Sequence, residues 1–382
     1  MIYLDHAATT PLDGRVLEAM MPYLRDQYGN ASSVHAMGQA ARRAVDRARG
    51  EVAALISADP SEIIFTSGGT EADNLAIAGL PPARKDGRRG IVASAIEHHA
   101  VLHACEAAGA DGAHLTLVRP DERGRLGLET VRRAVDADTA LVSVMAANNE
   151  LGTIEPVREI AEIAHEQGAL MHTDAVQAAG QLPLDVREMG VDALTLTAHK
   201  FYGPKGIGAL YLRRGTAIDR LQLGGGQERG RRAGTENVAG IVGFGEAARL
   251  AAEEMAARSG HVAALRDRLW QALCDVPGAE RLGDPEHSLP GYLVLRFLGV
   301  DGEALVLNLD LHGICASMGS ACSSGSLEAS HVLTAIGLDP AAAREGLRLT
   351  VGRGNSAEEI DEVAHVLRRI VERQRELMVS RD

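Results

Sequence analysis

Residues 191–208 read VDALTLTAHKFYGPKGIG. Leu194 and Leu196 alternate with Thr195 and Thr197, the period-two pattern of a short strand, and the pattern stops at Ala198-His199-Lys200 before a turn rich in glycine and proline. Lys200 therefore stands at a strand end. Lysine is the side chain that forms Schiff bases, and a desolvated pocket lowers its pKa toward the reactive neutral amine. An exposed lysine in a turn would give the same local pattern, so the neighbouring segments decide. Upstream, Leu170 and Met171 open another apolar run, which delivers Asp174 in His172-Thr173-Asp174-Ala175-Val176-Gln177. A lysine for an aldehyde and a carboxylate for a pyridine nitrogen are the two groups that pyridoxal 5'-phosphate (PLP) needs, the carboxylate keeping the ring protonated as an electron sink.

On both sides of this stretch, strand-like and helix-like segments alternate. Strands are expected over 62–66, 91–95, 115–118, 140–145, 170–173 and 209–212, with helical spacing over 72–78, 100–108, 129–135 and 157–166 between them. Helical spacing also marks 13–24 and 36–56 near the N-terminus. Further on come helices over 238–257 and 262–274, a strand over 292–297, a helix over 303–311, a strand over 347–351 and a final helix over 358–377. Repeated βα units predict an α/β fold: a mainly parallel sheet flanked by helices, with a smaller α+β domain. We expect a large domain over 13–254 and a smaller one over 255–382, packed with the N-terminal segment 1–12.

Composition narrows the function classes. The chain has 382 residues, 46% hydrophobic and 24% charged, and a formal charge of −13 with no long Lys/Arg run, which disfavours nucleic-acid binding. Four cysteines (Cys105, Cys274, Cys315, Cys322) make no disulfide framework, and no C-x-x-C pair suggests a resident metal. The opening MIYLDHAATTPLDGR lacks a basic and an apolar targeting region, and no run approaches the ~20 apolar residues of a spanning helix. A cytoplasmic protein is the expectation.

In a parallel sheet, ligands sit outside the carboxyl ends of the strands. That rule gathers His98 and His99, Asn148 and Asn149, Asp174 and Gln177, and Thr197, His199 and Lys200 at one edge. Ser67-Gly68-Gly69-Thr70-Glu71 opens a helix after a strand, where free N–H groups and close backbone approach suit a phosphate; a plain helix start with Thr70 as N-cap fits the same residues. The polar, glycine-rich run Leu223 to Thr235 reads as a loop. Cys322 lies in Gly319-Ser320-Ala321-Cys322-Ser323-Ser324-Gly325-Ser326, a small-residue stretch without apolar periodicity, and Arg353 follows a strand, where a guanidinium could hold a carboxylate or simply form a surface salt bridge.

Taken together, these blocks resemble the cysteine desulfurases of the iron–sulfur cluster assembly type, PLP enzymes of fold type I in the class V aminotransferase family. The resemblance runs nearly end to end. It rests on Tyr3 to Pro11, Gly29 to His35, Thr66 to Glu71, Glu97-His98, Asn148-Asn149-Glu150, Asp174 to Gln177, His199-Lys200, Gly224-Gly225-Gly226 and Gly319 to Cys322. It implies that Lys200 carries PLP and shuttles the substrate proton, that Asp174 pairs with the pyridinium, and that His98 stacks on the ring and transfers protons. Gln177 and Asn149 would lie near the ring hydroxyl, and Gly69, Thr70, Thr197 and His199 would cradle the phosphate. Thr235 would reach the phosphate of a neighbouring subunit, making a homodimer part of the site. Arg353 would clamp the α-carboxylate of L-cysteine. Cys322 would take the sulfur as a persulfide, leaving alanine, pass it to an acceptor such as an iron–sulfur scaffold or sulfur carrier, and touch a nascent cluster only in passing. Met318 and Gln227 depart from the family pattern. Three other readings use the same scaffold: a selenocysteine lyase, a transaminase and a non-catalytic assembly partner.

Overall fold

The computed structural model describes residues 1–319 and 329–379. Its centre is a seven-stranded sheet in the order β2-β8-β7-β6-β5-β3-β4. The strands are β2 (Ile63–Thr66), β3 (Gly90–Ser94), β4 (His114–Val118), β5 (Thr139–Ser143), β6 (Leu170–Asp174), β7 (Ala193–Thr197) and β8 (Gly208–Leu212). Pairings from β4 through β7 are parallel, whereas β8 runs antiparallel to both β7 and β2. Two reversals leave β2 parallel to β7, so β2, β3, β5, β6 and β7 all end at one edge. Each of β2, β3, β5, β7 and β8 is buried throughout, as strands covered on both faces must be.

The covering helices are α1 (Gly14–Arg25), α2 (Ala36–Leu55), α3 (Gly69–Arg84), α4 (His99–Ala110), α5 (Leu128–Ala134), α6 (Val157–Glu166) and α7 (Val238–Leu273). In α6 the buried set Val157, Ile160, Ala161, Ile163 and Ala164 recurs at helical spacing and faces the sheet. A second core forms around a three-stranded antiparallel sheet of β12 (Gly346–Thr350), β10 (Tyr292–Phe297) and β9 (Ala279–Leu282). It takes in β1 (Ile2–Tyr3), which pairs in parallel with β11 (Ile314–Cys315), together with α8 (Gly302–Leu311) and α11 (Ala357–Val379). Two short helices, α9 (His331–Ala335) and α10 (Pro340–Ala343), close a smaller cluster with Ile96 and Leu151.

The two helices expected over 238–257 and 262–274 are one continuous helix of 36 residues. The expected break, Arg258-Ser259-Gly260-His261, contains no residue that stops a helix, and an interior glycine costs only about 1 kcal/mol. That cost is outweighed because Phe244, Ala248 and Ala251 enter the large core while Val262, Leu265 and Leu269 enter the second. The expected boundary between residues 254 and 255 thus falls inside α7. Helix α3 likewise starts earlier than its apolar pattern, at Gly69, and runs through Pro81 and Pro82 because Leu80 and Ala83 are buried on it.

A buried ion pair ties the glycine-rich loop to the sheet. Both guanidinium Nη atoms of Arg49 donate to the Glu228 carboxylate, at 2.7 and 2.8 Å, and one also donates to the Ile63 carbonyl. Glu228 in turn accepts the Phe65 N–H at 3.1 Å. Removing one member strands the other charge in the interior, so Arg49→Ala should lose about 3–5 kcal/mol in urea denaturation. A loss below about 1 kcal/mol would mean that the pair contributes nothing beyond a surface contact.

Candidate active site

Asp174 ends β6 opposite Thr195 of β7. Its carboxyl is buried and accepts the Val176 N–H at 2.8 Å. Burial pushes it up to about 6, against the downward pull of the Val176 amide and the Lys200 ammonium. Lys200 closes the single helical turn Ala198–Lys200 that caps β7. Its Nζ donates to the carbonyls of Ala7 and Ala8, the latter at 2.9 Å. The N-terminal segment is itself pinned to this turn: the Thr10 N–H and hydroxyl both donate to the His199 carbonyl, at 3.0 and 2.9 Å. The opening residues of the chain thereby form one wall of the site.

These groups share a cavity of about 440 Å³. Helix α3 starts at its rim with Gly68 as N-cap and no side-chain cap, so Thr70 stands inside the helix and the cap expected of it does not form. A Cβ on Gly69 would meet Val176 Cγ2 at 2.9 Å, so only glycine lets the helix start approach so closely. Thr70, Thr197 and His199 line the same wall. The Thr197 hydroxyl donates to the Ile207 carbonyl at 3.2 Å, and His199 Nδ1 lies 3.2 Å from the Thr9 hydroxyl. Burial, with Lys200 and Lys205 nearby, pushes His199 down to about 4.

His98 is the N-cap of α4, its Nδ1 accepting the Ala100 N–H at 3.1 Å. Burial first, then Lys200 and the neighbouring imidazoles, push it down to about 4, so the ring is neutral near pH 7. Gln177 and Asn149 also line the cavity. The Gln177 amide donates to the Ala7 carbonyl at 3.0 Å and accepts the Tyr292 hydroxyl at 2.7 Å, which fixes its orientation. Asn148, paired with Asn149 in the sequence, is buried instead and closes the turn by accepting the Glu150 and Leu151 N–H groups.

Arg353 is not brought into this cavity. Its Nη1 lies 2.7 Å from Asp13 Oδ2, its guanidinium stacks 4.2 Å from the Tyr202 ring centroid, and it lines an adjoining space of about 50 Å³ on the other side of Ala7 and Lys200, which line both. The guanidinium in the cavity belongs to Arg348, which sits within β12 and faces away from the apolar face formed by Leu347 and Leu349. Arg348 donates to the Asn149 carbonyl at 2.8 Å, the Gly319 carbonyl at 3.2 Å and Asp5 Oδ1 at 2.8 Å. Its buried Nε has no partner among the described residues. Thr235 is exposed and lines a different hollow with Ser67 and Arg232. Gln227 accepts the Gly234 N–H at 3.2 Å and so ties its loop together. Cys322 lies outside the described residues.

Two carboxyls behind Asp174 are absent from the expected set. Asp73, on the inner face of α3, and Glu97, next to His98, are buried, and burial raises both well above the carboxylate range, with the Asp174 charge adding to it. Asp73 Oδ1 and Glu97 Oε2 have no hydrogen-bond partner among the described residues. Their signal in the sequence is an acid set among residues that are otherwise apolar or part of a motif, Ala72-Asp73 and Glu97-His98.

The sequence profile of the class-V aminotransferases matches residues 2–363. The chain belongs to the class-V aminotransferase family. A relative from Methanosarcina thermophila named cysteine desulfurase IscS is 46% identical over 98% of this chain and 93% of its own length. Among solved structures, a NifS-like protein at 39% identity superposes with a TM-score of 0.90 over 97% of this chain and 98% of its own. Another, SspA in complex with cysteine, is 35% identical with a TM-score of 0.83, over 93% of this chain and all (100%) of its own. Family membership accounts for the mostly parallel sheet flanked by helices.

Asp174 makes a pH-dependent contribution to stability that can be isolated. Its folded value of about 6 lies above the ~3.9 of an unfolded aspartate, so the stability it contributes is fully present below about pH 4 and lost as pH rises through 6. The ligand-free Asp174→Asn variant should therefore unfold at higher temperature than wild type at pH 7–8. The advantage should vanish toward pH 4. A constant difference across that range would contradict the assigned ionisation.

Proposed function

We propose that the protein is a PLP-dependent cysteine desulfurase, converting L-cysteine to L-alanine and taking the sulfur as a persulfide on Cys322. The observation that carries this reading is the meeting of the Lys200 amine, the buried Asp174 carboxyl and the uncapped start of α3 in one cavity. These residues fit PLP: the cradle at Gly69 has no room for a Cβ, the helix start offers N–H groups to a phosphate, and Asp174 is held dry for a ring nitrogen. When bound, PLP supplies an electron sink for the bonds broken at the substrate.

The chain's own groups do the rest. Lys200 holds the aldehyde and moves the proton at the substrate α-carbon. Asp174 holds a proton on the ring nitrogen, and the neutral His98 ring covers the ring face. Thr70, Thr197 and His199 bind the phosphate, with Thr235 of each subunit reaching the phosphate of the other in a homodimer. Gln177 and Asn149 contact the ring hydroxyl. Arg348 takes the clamp role expected of Arg353, because its guanidinium lines the cavity in a fixed orientation, with an Nε–H that has no partner among the described residues. The Cys322 thiolate attacks the substrate sulfur: an S–S bond forms, the C–S bond breaks, and its electron pair stays on the β-carbon. The sulfur then passes to an acceptor protein, in iron–sulfur cluster assembly or another delivery route. Among the described residues no helix is long and apolar enough to cross a membrane. A cytoplasmic setting fits the composition.

Incubation with PLP and L-cysteine should yield alanine and a persulfide, and borohydride reduction should fix the cofactor to Lys200. Label on another lysine, or a keto acid in place of alanine, would overturn the reading. Arg348→Ala should raise KM for cysteine at least tenfold, as the loss of a desolvated charge contact of roughly 2–5 kcal/mol requires. Arg353→Ala should change it less than about threefold. The reverse order of effects would return the clamp to Arg353.

A further inference from the structure

Two residues past Lys200 the backbone turns left-handed. Tyr202 has a φ of 70°, a region that bulky side chains rarely enter, and it is the only aromatic residue with a positive φ among the described residues. Such a conformation persists only where the surroundings over-determine it. Here they do. The Tyr202 N–H donates to the Thr10 hydroxyl at 2.7 Å, and the Tyr202 carbonyl accepts the Asp13 N–H at 3.0 Å. Its hydroxyl accepts the Arg353 N–H at 2.9 Å. Its ring lies against two guanidinium groups, with Arg353 Cζ 4.2 Å and Arg258 Cζ 5.3 Å from the centroid.

These contacts reach Lys200 through the N-terminal segment. Thr10, which takes the Tyr202 N–H, gives its own hydroxyl hydrogen to the His199 carbonyl at 2.9 Å, and Ala7 and Ala8 supply the carbonyls that hold the Lys200 ammonium. Asp13 is the N-cap of α1, and its buried carboxylate pairs with Arg353 at 2.7 Å. The backbone behind the lysine and the head of its side chain are therefore held by one segment, residues 7–13, and Arg353 fixes that segment from the far side. Arg353 follows β12 of the second core, directly after the buried Val351. A surface salt bridge would need the Asp13 contact alone. Arg353 instead commits a backbone N–H and a guanidinium face to Tyr202 as well. A displacement of Tyr202 moves Thr10, and with it the carbonyls that aim the amine. Aim matters for a reacting group, since about 1 Å of misplacement can cost on the order of 10²-fold in rate.

We propose that Tyr202 is a positioning residue for Lys200 and that Arg353 acts through its ring, so that the second core sets the direction of the amine that meets the aldehyde. The assignment rests on the reading of Lys200 as the aldehyde-binding lysine. It gives Arg353 a part in the reaction without contact with the substrate: control over the residue that reacts.

The ligand-free protein and its variants are mixed with excess PLP well below their unfolding temperatures. Absorbance follows the attachment rate, and borohydride trapping with peptide mapping identifies the lysine. Tyr202→Gly deletes the ring while accepting a φ of 70° without strain, and should slow attachment about tenfold. Arg353→Ala should slow it about as much, and the double variant should add less than about twofold to either, since both changes act on one contact. With cysteine as substrate, each single variant should lower kcat about tenfold and leave KM within about threefold of wild type. Tyr202→Phe keeps the ring and loses only the acceptor of the Arg353 N–H, so it should slow attachment about threefold, and it carries the same comparison if the glycine variant does not fold. Attachment rates within about twofold of wild type, with only the unfolding temperature lowered, overturn the assignment and leave a brace. Factors that multiply in the double variant overturn the route through Tyr202. Trapping of the wild-type protein at another lysine overturns the reading of Lys200, and this assignment with it.

Discussion

A carboxylate held out of water beside a lysine is the constraint on which this molecule is built. Asp174 can keep a negative charge in the interior only because the Val176 amide and the Lys200 ammonium offset its desolvation. That requirement fixes where β6 and β7 end. It also explains the backbone placed around Lys200: the carbonyls of Ala7 and Ala8 hold the ammonium, and the Thr10–His199 bonds hold the carbonyls. The first ten residues belong to the site as much as to the fold.

The same economy governs the substrate side. Arg348 is fixed by two backbone carbonyls and by Asp5, so its orientation at the cavity is set by the fold itself. Asp5 comes from the N-terminal segment, Asn149 from the turn after β5 and Gly319 from the segment after β11. One guanidinium therefore cross-links three parts of the protein at the reaction space, and preorganisation of this kind reduces the entropy lost on binding.

Much of this was legible in the residues. The alternation of apolar runs gives the parallel sheet, and strand ends carrying His98, Asn149, Asp174 and Lys200 do converge on one edge. Arg353 stands just past a strand, the obvious place to expect a carboxylate clamp, but the guanidinium lining the cavity is that of Arg348. Period two carries the better signal: in Gly346-Leu347-Arg348-Leu349-Thr350 the leucines take one face, so Arg348 must take the other, and an arginine committed to a buried sheet face needs partners. Asp73 and Glu97 are harder to single out as site carboxyls, because burial, not identity, makes a carboxyl unusual. The break placed at Arg258 to His261 failed for another reason, since local polarity at a helix surface says nothing about two apolar cores lying on either side of it.

Helix α7 has a mechanical meaning. At 1.5 Å per residue its 36 residues extend about 54 Å, with Phe244 to Ala251 sunk in one core and Val262 to Leu273 in the other. A flexible joint between two bodies lets them swing for almost nothing; a rod embedded in both must bend, and bending stretches hydrogen bonds along its outer side. The spacing between the cofactor-side strands and the Arg348 strand is thus braced like a truss. Large-scale gaping of the cleft is suppressed, and traffic of substrate and sulfur is left to the rim.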